Sequence, residues 1–224
     1  MFFAKSNGKK RAEIYLYDAI GEGWSGGITA MAFAEAMKGV GNASALDIYI
    51  NSPGGSVFDG IAIYNQIKRF SGEKIVHIDG IAASIASVIA LAGDEIHIAA
   101  NGTIMIHDPW GATAGTAEGM RKMADSLDLV RDTILDTYTA RTGGKREELG
   151  AWMSEETWMS ADESVERGFA THKTESKTVQ ASFPLLGQYR NTPAPLRQQG
   201  LETRSLLARM DKRVVQSAAR GLPR

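Results

Sequence analysis

The segment Leu46-Asp-Ile-Tyr-Ile-Asn-Ser-Pro-Gly-Gly-Ser-Val57 carries an apolar strand directly into a Pro-Gly-Gly turn. Residues 46–50 are apolar enough for a buried strand, and the proline and glycines that follow end it. Over residues 57–70, apolar side chains return every three or four positions, which predicts a helix. A strand, a tight turn and a helix in this order are the basic unit of an α/β fold.

Strands and helices alternate on both sides of this segment. Short apolar or alternating runs predict strands at 12–17, 74–78, 95–99 and 103–106. Helical periodicity predicts helices at 28–40 and 82–92, the second of them rich in small residues. This alternation indicates an α/β fold with a largely parallel sheet.

The longest helical pattern covers residues 116–141 and ends at Gly143-Gly144. At 1.5 Å per residue, such a helix is about 39 Å long, which exceeds what a small domain needs. It therefore either projects towards another subunit or crosses its own domain, and periodicity alone does not separate the two.

Charge divides the chain into an acidic body and a basic tail. Residues 1–174 hold 16 Lys and Arg against 23 Asp and Glu, whereas residues 175–224 hold 9 against 3. We expect a domain over 1–174 and a partly flexible extension over 175–224, in which residues 201–220 could form a helix. No aromatic residue interleaves with the arginines of 197–224, which does not favour nucleic-acid binding.

Composition excludes several classes of site. The chain has no cysteine, which excludes disulfides, thiolate zinc sites and a cysteine nucleophile. With four histidines, we expect no metal and no cofactor. No segment is long and apolar enough to span a membrane, and the N-terminal residues lack the order of a signal peptide, so a cytoplasmic location is expected.

Two glycine motifs near the N-terminus have alternative interpretations. Residues 21–26 fit the G-x-G-x-x-G pattern of dinucleotide sites, but Asp47 opens the next strand, whereas the motif requires an acid at its end. Residues 23–27 fit the G-x-S-x-G nucleophile elbow, but too few strands precede them. A glycine-rich turn explains both matches better.

Three further segments carry residues suited to acyl-transfer chemistry. The turn at 51–56 can aim a backbone N–H outward, as an oxyanion hole requires. Ser84, among small residues at a predicted helix start, can expose its hydroxyl to a substrate. His107 ends an apolar strand before a turn. Taken alone, the turn is equally compatible with a plain strand-to-helix connection, and for Ser84 and His107 a structural role is the more common one.

Together these segments resemble the proteolytic subunit of the Clp protease (ClpP), a family of serine peptidases. INSPGGSV, G-x-A-A-S-x-A and I-M-I-H-x-P-x-G occur in the family's order, and residues 158–169 look like its F-M-S-A-x-E-A-x-x-Y-G-L segment. The resemblance covers roughly residues 12–172. It implies a ClpP/crotonase-like fold of repeated β-β-α units, with residues 116–141 as the long handle helix.

The resemblance also implies roles for particular residues. Ser84 would be the nucleophile and His107 the general base, acting through an acyl-enzyme. The backbone N–H groups of Gly55 and Ile85 would form the oxyanion hole. A peptide would lie as an added strand in a groove lined by Ser56, Val57, Trp110 and Gly111.

The acid of the triad is where the sequence departs from the family. The family has Arg-Asp at the positions of Glu155 and Glu156. We predict Glu156 as the acid, with Asp162 as the fallback and Asp108 as a weaker choice because it adjoins His107. Replacement of the arginine by Glu155 puts the family's ring–ring contact in doubt.

The resemblance further implies a polypeptide substrate and a homo-oligomeric ring. The basic tail and short N-terminal region favour a phage-type head maturation protease that trims capsid or scaffold protein. The alternatives are a housekeeping ClpP-type protease working with an unfoldase ATPase, a crotonase-fold acyl-CoA enzyme and an inactive assembly scaffold. Whether a Clp-type ATPase partner exists stays open.

Overall fold

The computed structural model describes residues 2–6, 11–22, 27–176, 184–194 and 196. Within these residues, eight strands form one sheet, and six α-helices accompany it. In chain order the elements are β1 (Phe2–Ser6), β2 (Arg11–Leu16), α1 (Ala30–Gly39), β3 (Ala45–Ser52), α2 (Val57–Arg69), β4 (Glu73–Ala83), α3 (Ile85–Ala90), β5 (Glu95–Ala99), β6 (Thr103–Ile106), α4 (Ala117–Thr142), α5 (Arg146–Glu155), β7 (Thr157–Ser160), α6 (Ala161–Glu166) and β8 (His172–Thr174).

The main sheet has the order β1-β2-β3-β4-β5-β8, and its strands from β2 to β8 run parallel. Strand β2 alternates half-buried and buried residues, so one face of the sheet packs on the core. Strand β3 is buried along almost its whole length. The predicted α/β fold with a largely parallel sheet is therefore confirmed.

On the side away from β3, strand β4 has two successive partners. Its first half pairs with β5 through Ile75–Ile78, and its last residues, Ile81–Ala83, pair with β6. Strand β6 in turn pairs with β7 in antiparallel fashion. This branching brings the end of β4 beside the end of β6.

The predicted helix at 82–92 is wrong at its start. Ala82 and Ala83 belong to β4, and the helix covers Ile85–Ala90 only. The small residues there pack as strand against β3 and β6, with Ala82 opposite both Ser52 and Ile104. Tertiary pairing overrides the helix propensity of alanine at these positions.

Helix α4 is the long helix that periodicity predicted. It begins after Thr116, whose side chain accepts a hydrogen bond from the Gly119 N–H, and ends at Gly143 in the left-handed conformation. Its C-terminal part is anchored by buried Ile134, Leu135 and Tyr138. Its N-terminal half is largely exposed.

The chain divides into two compact units, residues 1–181 and residues 182–224. Within the second, the described part includes a short 3-10 turn at Pro184–Gln188. The boundary at 174/175 stays a prediction, and the helix suggested at 201–220 lies outside the described residues.

Candidate active site

The carboxyl ends of three neighbouring strands bring the predicted catalytic segments together. The Pro-Gly-Gly turn follows β3, Ser84 follows β4 and His107 follows β6. Ser52 pairs with Ala82, and Ala83 pairs with Met105, so the three ends lie side by side. In α/β sheets, this edge is where ligands bind.

Ser84 and His107 are in direct contact. The Ser84 Oγ lies 2.8 Å from Nε2 of His107, and both residues are partly buried. Ser84 is the residue before α3, yet its side chain makes no capping hydrogen bond. Its hydroxyl is therefore directed to the imidazole rather than to the helix backbone. This is the nucleophile–base contact that covalent catalysis requires.

The backbone of Ser84 is held in an uncommon conformation. Its φ is 55° and its ψ is −128°, which is uncommon for a residue other than glycine. The Ser84 N–H donates to the Met105 C=O at 2.8 Å, and the Ser84 C=O accepts from the N–H and the hydroxyl of Ser87 at 2.9 and 2.6 Å. These bonds on both sides hold the turn that exposes the Ser84 hydroxyl.

Ser87 is in turn held by a contact with α4, the long helix. Its hydroxyl lies 2.7 Å from the hydroxyl of Tyr138 on α4, and both side chains are buried. Burial raises the pKa of Tyr138, which keeps its phenol neutral. A chain of contacts thus runs from α4 through Ser87 to the Ser84 backbone.

The Pro-Gly-Gly turn lies against Ser84. Gly54 has a φ of +91° and Gly55 a φ of +144°, and a Cβ on Gly55 would meet the Ile20 C=O at 2.1 Å. Ile20 fixes the turn from outside, since its N–H donates to Gly54 and its C=O accepts from Ser56, both at 2.8 Å. Among the described residues, the exposed Gly55 N–H has no acceptor, as an oxyanion donor requires.

The second predicted donor is the N–H of Ile85, the first residue of α3. Its nitrogen is 3.4 Å from the position that a Cβ on Gly54 would occupy, so it lies beside the turn. Its side chain packs on Gly60, where a Cβ would approach Ile85 Cγ1 to 2.1 Å. This packing holds α2 and α3 close together and fixes the start of α3.

Glu156 lies between α5 and β7, near the end of β6. Ile106 and Thr157 form the last pair of the β6–β7 ladder, and His107 follows this pair on one strand while Glu156 precedes it on the other. Glu156 is buried, with a φ of 56°, and its Oε1 accepts from the Trp158 indole at 3.1 Å. Neighbouring Glu155 is exposed. The role of Glu156 as the acid stays a prediction.

The two alternative acids have other contacts. Asp162 forms an ion pair with Lys173 at 2.5 Å and has a side chain that is 78% exposed. Asp108 accepts from Arg131 Nε at 2.7 Å and from the Ser154 hydroxyl at 2.8 Å. Arg131 lies on α4 and Ser154 on α5, so Asp108 fastens the loop after His107 to both helices. Sequence reasoning missed this link, because the residues are far apart in the chain.

The predicted groove residues have different surroundings. Ser56 caps α2, and both its N–H and its C=O are bonded within the chain, to Ile20 and Gly60. Ser56 would therefore line a groove with its side chain rather than pair with a substrate strand. Val57 is half-buried, Trp110 is 64% exposed, and exposed Gly111 lies over Met123 of α4.

Parts of the other predictions fall outside the described residues. Residues 23–26, which complete both early glycine motifs, are among them. Gly21, just before them, has a φ of +88° and packs against Ser56, in keeping with a turn. Within the described part of the chain, no helix combines the length and hydropathy needed to cross a membrane.

Comparison with known proteins agrees with this geometry. Residues 6–177 match the Clp protease family. The chain is 29% identical to ATP-dependent Clp protease proteolytic subunit 1 of Leifsonia xyli subsp. xyli over 136 residues, which are 60% of this chain and 69% of that protein. It is 37% identical to the subunit 1 of Chlamydia muridarum over 123 residues, which are 53% and 64% of the two.

A solved structure shares the fold. A mutant of ClpP1 from Listeria monocytogenes superposes with a TM-score of 0.64 at 23% identity, covering 74% of this chain and 92% of that chain. The ClpP-like fold with its long helix is therefore confirmed. Because the family match spans most of the residues and the fold agrees with it, the chain belongs to the Clp protease family, a family of peptidases.

Proposed function

We propose that this chain is a serine endopeptidase that cleaves polypeptides through an acyl-enzyme on Ser84. The observation that carries the proposal is the 2.8 Å contact between Ser84 Oγ and His107 Nε2, at a residue whose backbone has a positive φ. His107 takes the hydroxyl proton as Oγ attacks the peptide carbonyl, and returns it to the leaving amine. Water then releases the acyl group by the same route.

The oxyanion that forms on the carbonyl needs donors already in place. The N–H groups of Gly55 and Ile85 would supply them, and loss of one such donor typically costs about 10²–10³ in rate. Glu156, which adjoins the last pair of the β6–β7 ladder as His107 does, would accept from Nδ1 and stabilise the imidazolium. The exposed edge at Gly55 would receive the substrate as an added strand.

Labelling with a fluorophosphonate probe tests this assignment. We expect the wild-type protein to be labelled at Ser84 and to cleave a fluorogenic peptide, and Ser84→Ala to lose both. Ser126→Ala, on the exposed face of α4, is the matched control and should keep both. Normal cleavage by the Ser84→Ala protein would contradict the proposal, and turnover of acyl-CoA thioesters would favour the crotonase alternative.

We also propose a homo-oligomeric ring that uses α4 as a contact. The N-terminal half of α4 exposes large apolar side chains, including Met120 at 51% and Leu129 at 69%. Exposed apolar surface on a projecting helix favours burial against another subunit. Leu129→Glu should lower the molar mass measured by light scattering, whereas Asp128→Asn should not.

Two substrate classes are compatible with the peptidase. We favour capsid or scaffold protein in phage head maturation, supported by the basic extension over 175–224 and by glutamate at position 155. The alternative is a housekeeping protease coupled to an unfoldase ATPase. Degradation of casein separates them: cleavage without ATPase supports the first, and cleavage that needs a Clp unfoldase with ATP supports the second.

A further inference from the structure

A row of aromatic and imidazole rings crosses the half-exposed face of the sheet, away from Ser84. Strand register places Tyr15, Tyr49, His77, His97 and His172 side by side on five successive strands. Neighbouring ring centres are 4.6, 4.6, 5.4 and 5.0 Å apart. The catalytic mechanism uses none of these residues.

The carboxylate of Glu95 lies beside the histidines at one end of this row. Glu95 lies two residues before His97 on β5, so it projects from the same face. One ligand atom from each of Glu95, His97 and His172 lies within 4.8 Å of the other two. Among the described residues, the contacts of the Glu95 carboxylate are with these two histidines, and no lysine or arginine neutralises it.

The spacing fits a transition metal. Four ligands about 2.0–2.1 Å from a tetrahedral zinc ion lie about 3.3–3.4 Å from one another. Here Glu95 Oε2 is 2.8 Å from Nε2 of His97 and 3.9 Å from Nδ1 of His172, which bracket that value. Two imidazoles and one carboxylate, with a position left for water, form a donor set that suits Zn²⁺ rather than Mg²⁺ or Ca²⁺.

The fold makes the site accessible and partly preorganised. The side chains of Glu95 and His172 are 47% and 60% exposed, so an ion can reach them. Strand pairing holds His97 and His172 side by side. Nδ1 of His172 also lies 2.9 Å from the Thr171 hydroxyl, and an ion bound at Nδ1 would replace that contact and release the Nδ1 proton. We propose that Glu95, His97 and His172 bind a divalent transition metal ion of the zinc type.

The ion would join β8 to the rest of the sheet. Strand β8 has three residues and lies at the sheet edge, where β5 is its one partner among the described strands. A metal held by His97 on β5 and His172 on β8 would add a cross-strand link to a ladder of three residue pairs. Since an ion that binds only the folded chain stabilises it, zinc should raise the melting temperature.

His77 provides a matched control from the same row. Its Nε2 lies 3.0 Å from Asp47 Oδ1, which also accepts from Arg11, so His77 belongs to a different polar cluster. The whole chain holds only four histidines and no cysteine, so single variants at 77, 97, 107 and 172 cover every histidine.

The experiment is calorimetric titration of ZnCl₂ into full-length, tag-free protein stripped with chelator. We expect one ion per chain, with zinc affinity reduced by at least about tenfold in His97→Ala, His172→Ala and Glu95→Gln. Loss of a residue that only hydrogen-bonds to a metal ligand already lowers metal affinity by about tenfold or more, so loss of a ligand should do at least as much. His77→Ala and His107→Ala should bind as the wild type does, and MgCl₂ should give no saturable binding.

Two results would overturn the proposal: no zinc binding by the wild type at micromolar concentrations, or undiminished binding by His172→Ala. The His172 side chain is largely exposed, so this variant should fold, and circular dichroism checks it. A melting temperature that rises with zinc in the wild type but not in His172→Ala supports the link between β5 and β8. Peptidase activity plays no part in these readouts.

Discussion

Gly54 lies so close to Ser84 that a methyl group on Gly54 would come within 2.7 Å of the Ser84 Cβ. The same methyl group would meet the Ala83 C=O at 2.6 Å, and the φ of +91° would strain any side chain. The turn and Ser84 are therefore built as one unit, in which only glycine leaves room for the serine.

Gly54→Ala should disturb this unit more than it disturbs the fold. We expect kcat/KM for a fluorogenic peptide to fall by about 10²–10³, comparable to the loss of one oxyanion donor. Gly41→Ala is the control, because Gly41 also has a positive φ, +62°, but open space around it. Equal losses of activity in the two variants would mean that backbone strain alone, rather than contact with Ser84, is responsible.

Ser87→Ala tests the hydrogen bonds that support Ser84, the proposed nucleophile. The variant loses the 2.6 Å bond from the Ser87 hydroxyl to the Ser84 C=O and the contact with Tyr138. Ser87 is a positioning residue, so we expect kcat to fall by about 10-fold or more with KM nearly unchanged, since small displacements of reacting groups are costly. Steady-state kinetics separates the two parameters. A rise in KM with normal kcat would place Ser87 in substrate binding instead.

The sequence predicted the strands and helices near the site because their apolar patterns are local. Residues 95–99 and 103–106 have the same bounds in the structure as in the pattern. At 82–83 the pattern failed, because strand pairing with β3 and β6, which is not local, outweighs the helix propensity of alanine. Periodicity reports which face is buried, not which strand lies next to it.

Local sequence patterns are limited in the same way for the candidate active site and the proposed metal site. The motifs identified Ser84 and His107 because the segments around them are distinctive, and strand pairing brings them into contact. His97 and His172 carried no such signal. They are neighbours because β8 pairs with β5, after about 70 residues of intervening chain, whereas the expectation that the chain binds no metal rested on its having four histidines and no cysteine.

Ser160 and Glu163 form a capping box at the start of α6. The Ser160 side chain accepts from the Glu163 N–H, and the Glu163 carboxylate accepts from the Ser160 N–H at 2.9 Å. Ser160→Ala should lower the free energy of unfolding by about 1 kcal/mol, a typical cost for losing a cap. Ser126→Ala, in the exposed middle of α4, should not lower it, which denaturant titration of both variants would check.

The pH dependence of stability tests the role of Glu163 in this capping box. Hydrogen bonds from the backbone N–H and then the hydroxyl of Ser160 lower the pKa of Glu163. A carboxylate whose pKa is lower in the folded than in the unfolded state contributes its full stabilisation when the pH is above the ordinary glutamate pKa. The contribution is lost as the pH falls through the folded-state pKa. Glu163→Gln should therefore cost stability at pH 7 and progressively less towards pH 3. A constant difference over this range would contradict the role of the charge.

The identity of the triad acid is decided by comparing two carboxylates. Glu156 is buried and directly precedes β7, whose partner strand β6 leads into His107, whereas Asp162 is exposed and paired with Lys173. Glu156→Gln keeps the size of the side chain but removes its charge, so we expect kcat to fall by up to about 10⁴, as when a triad aspartate becomes asparagine. Asp162→Asn should leave kcat within about twofold of the wild type, because it removes only a surface ion pair. If Asp162→Asn has the larger effect on kcat, Asp162 rather than Glu156 orients His107.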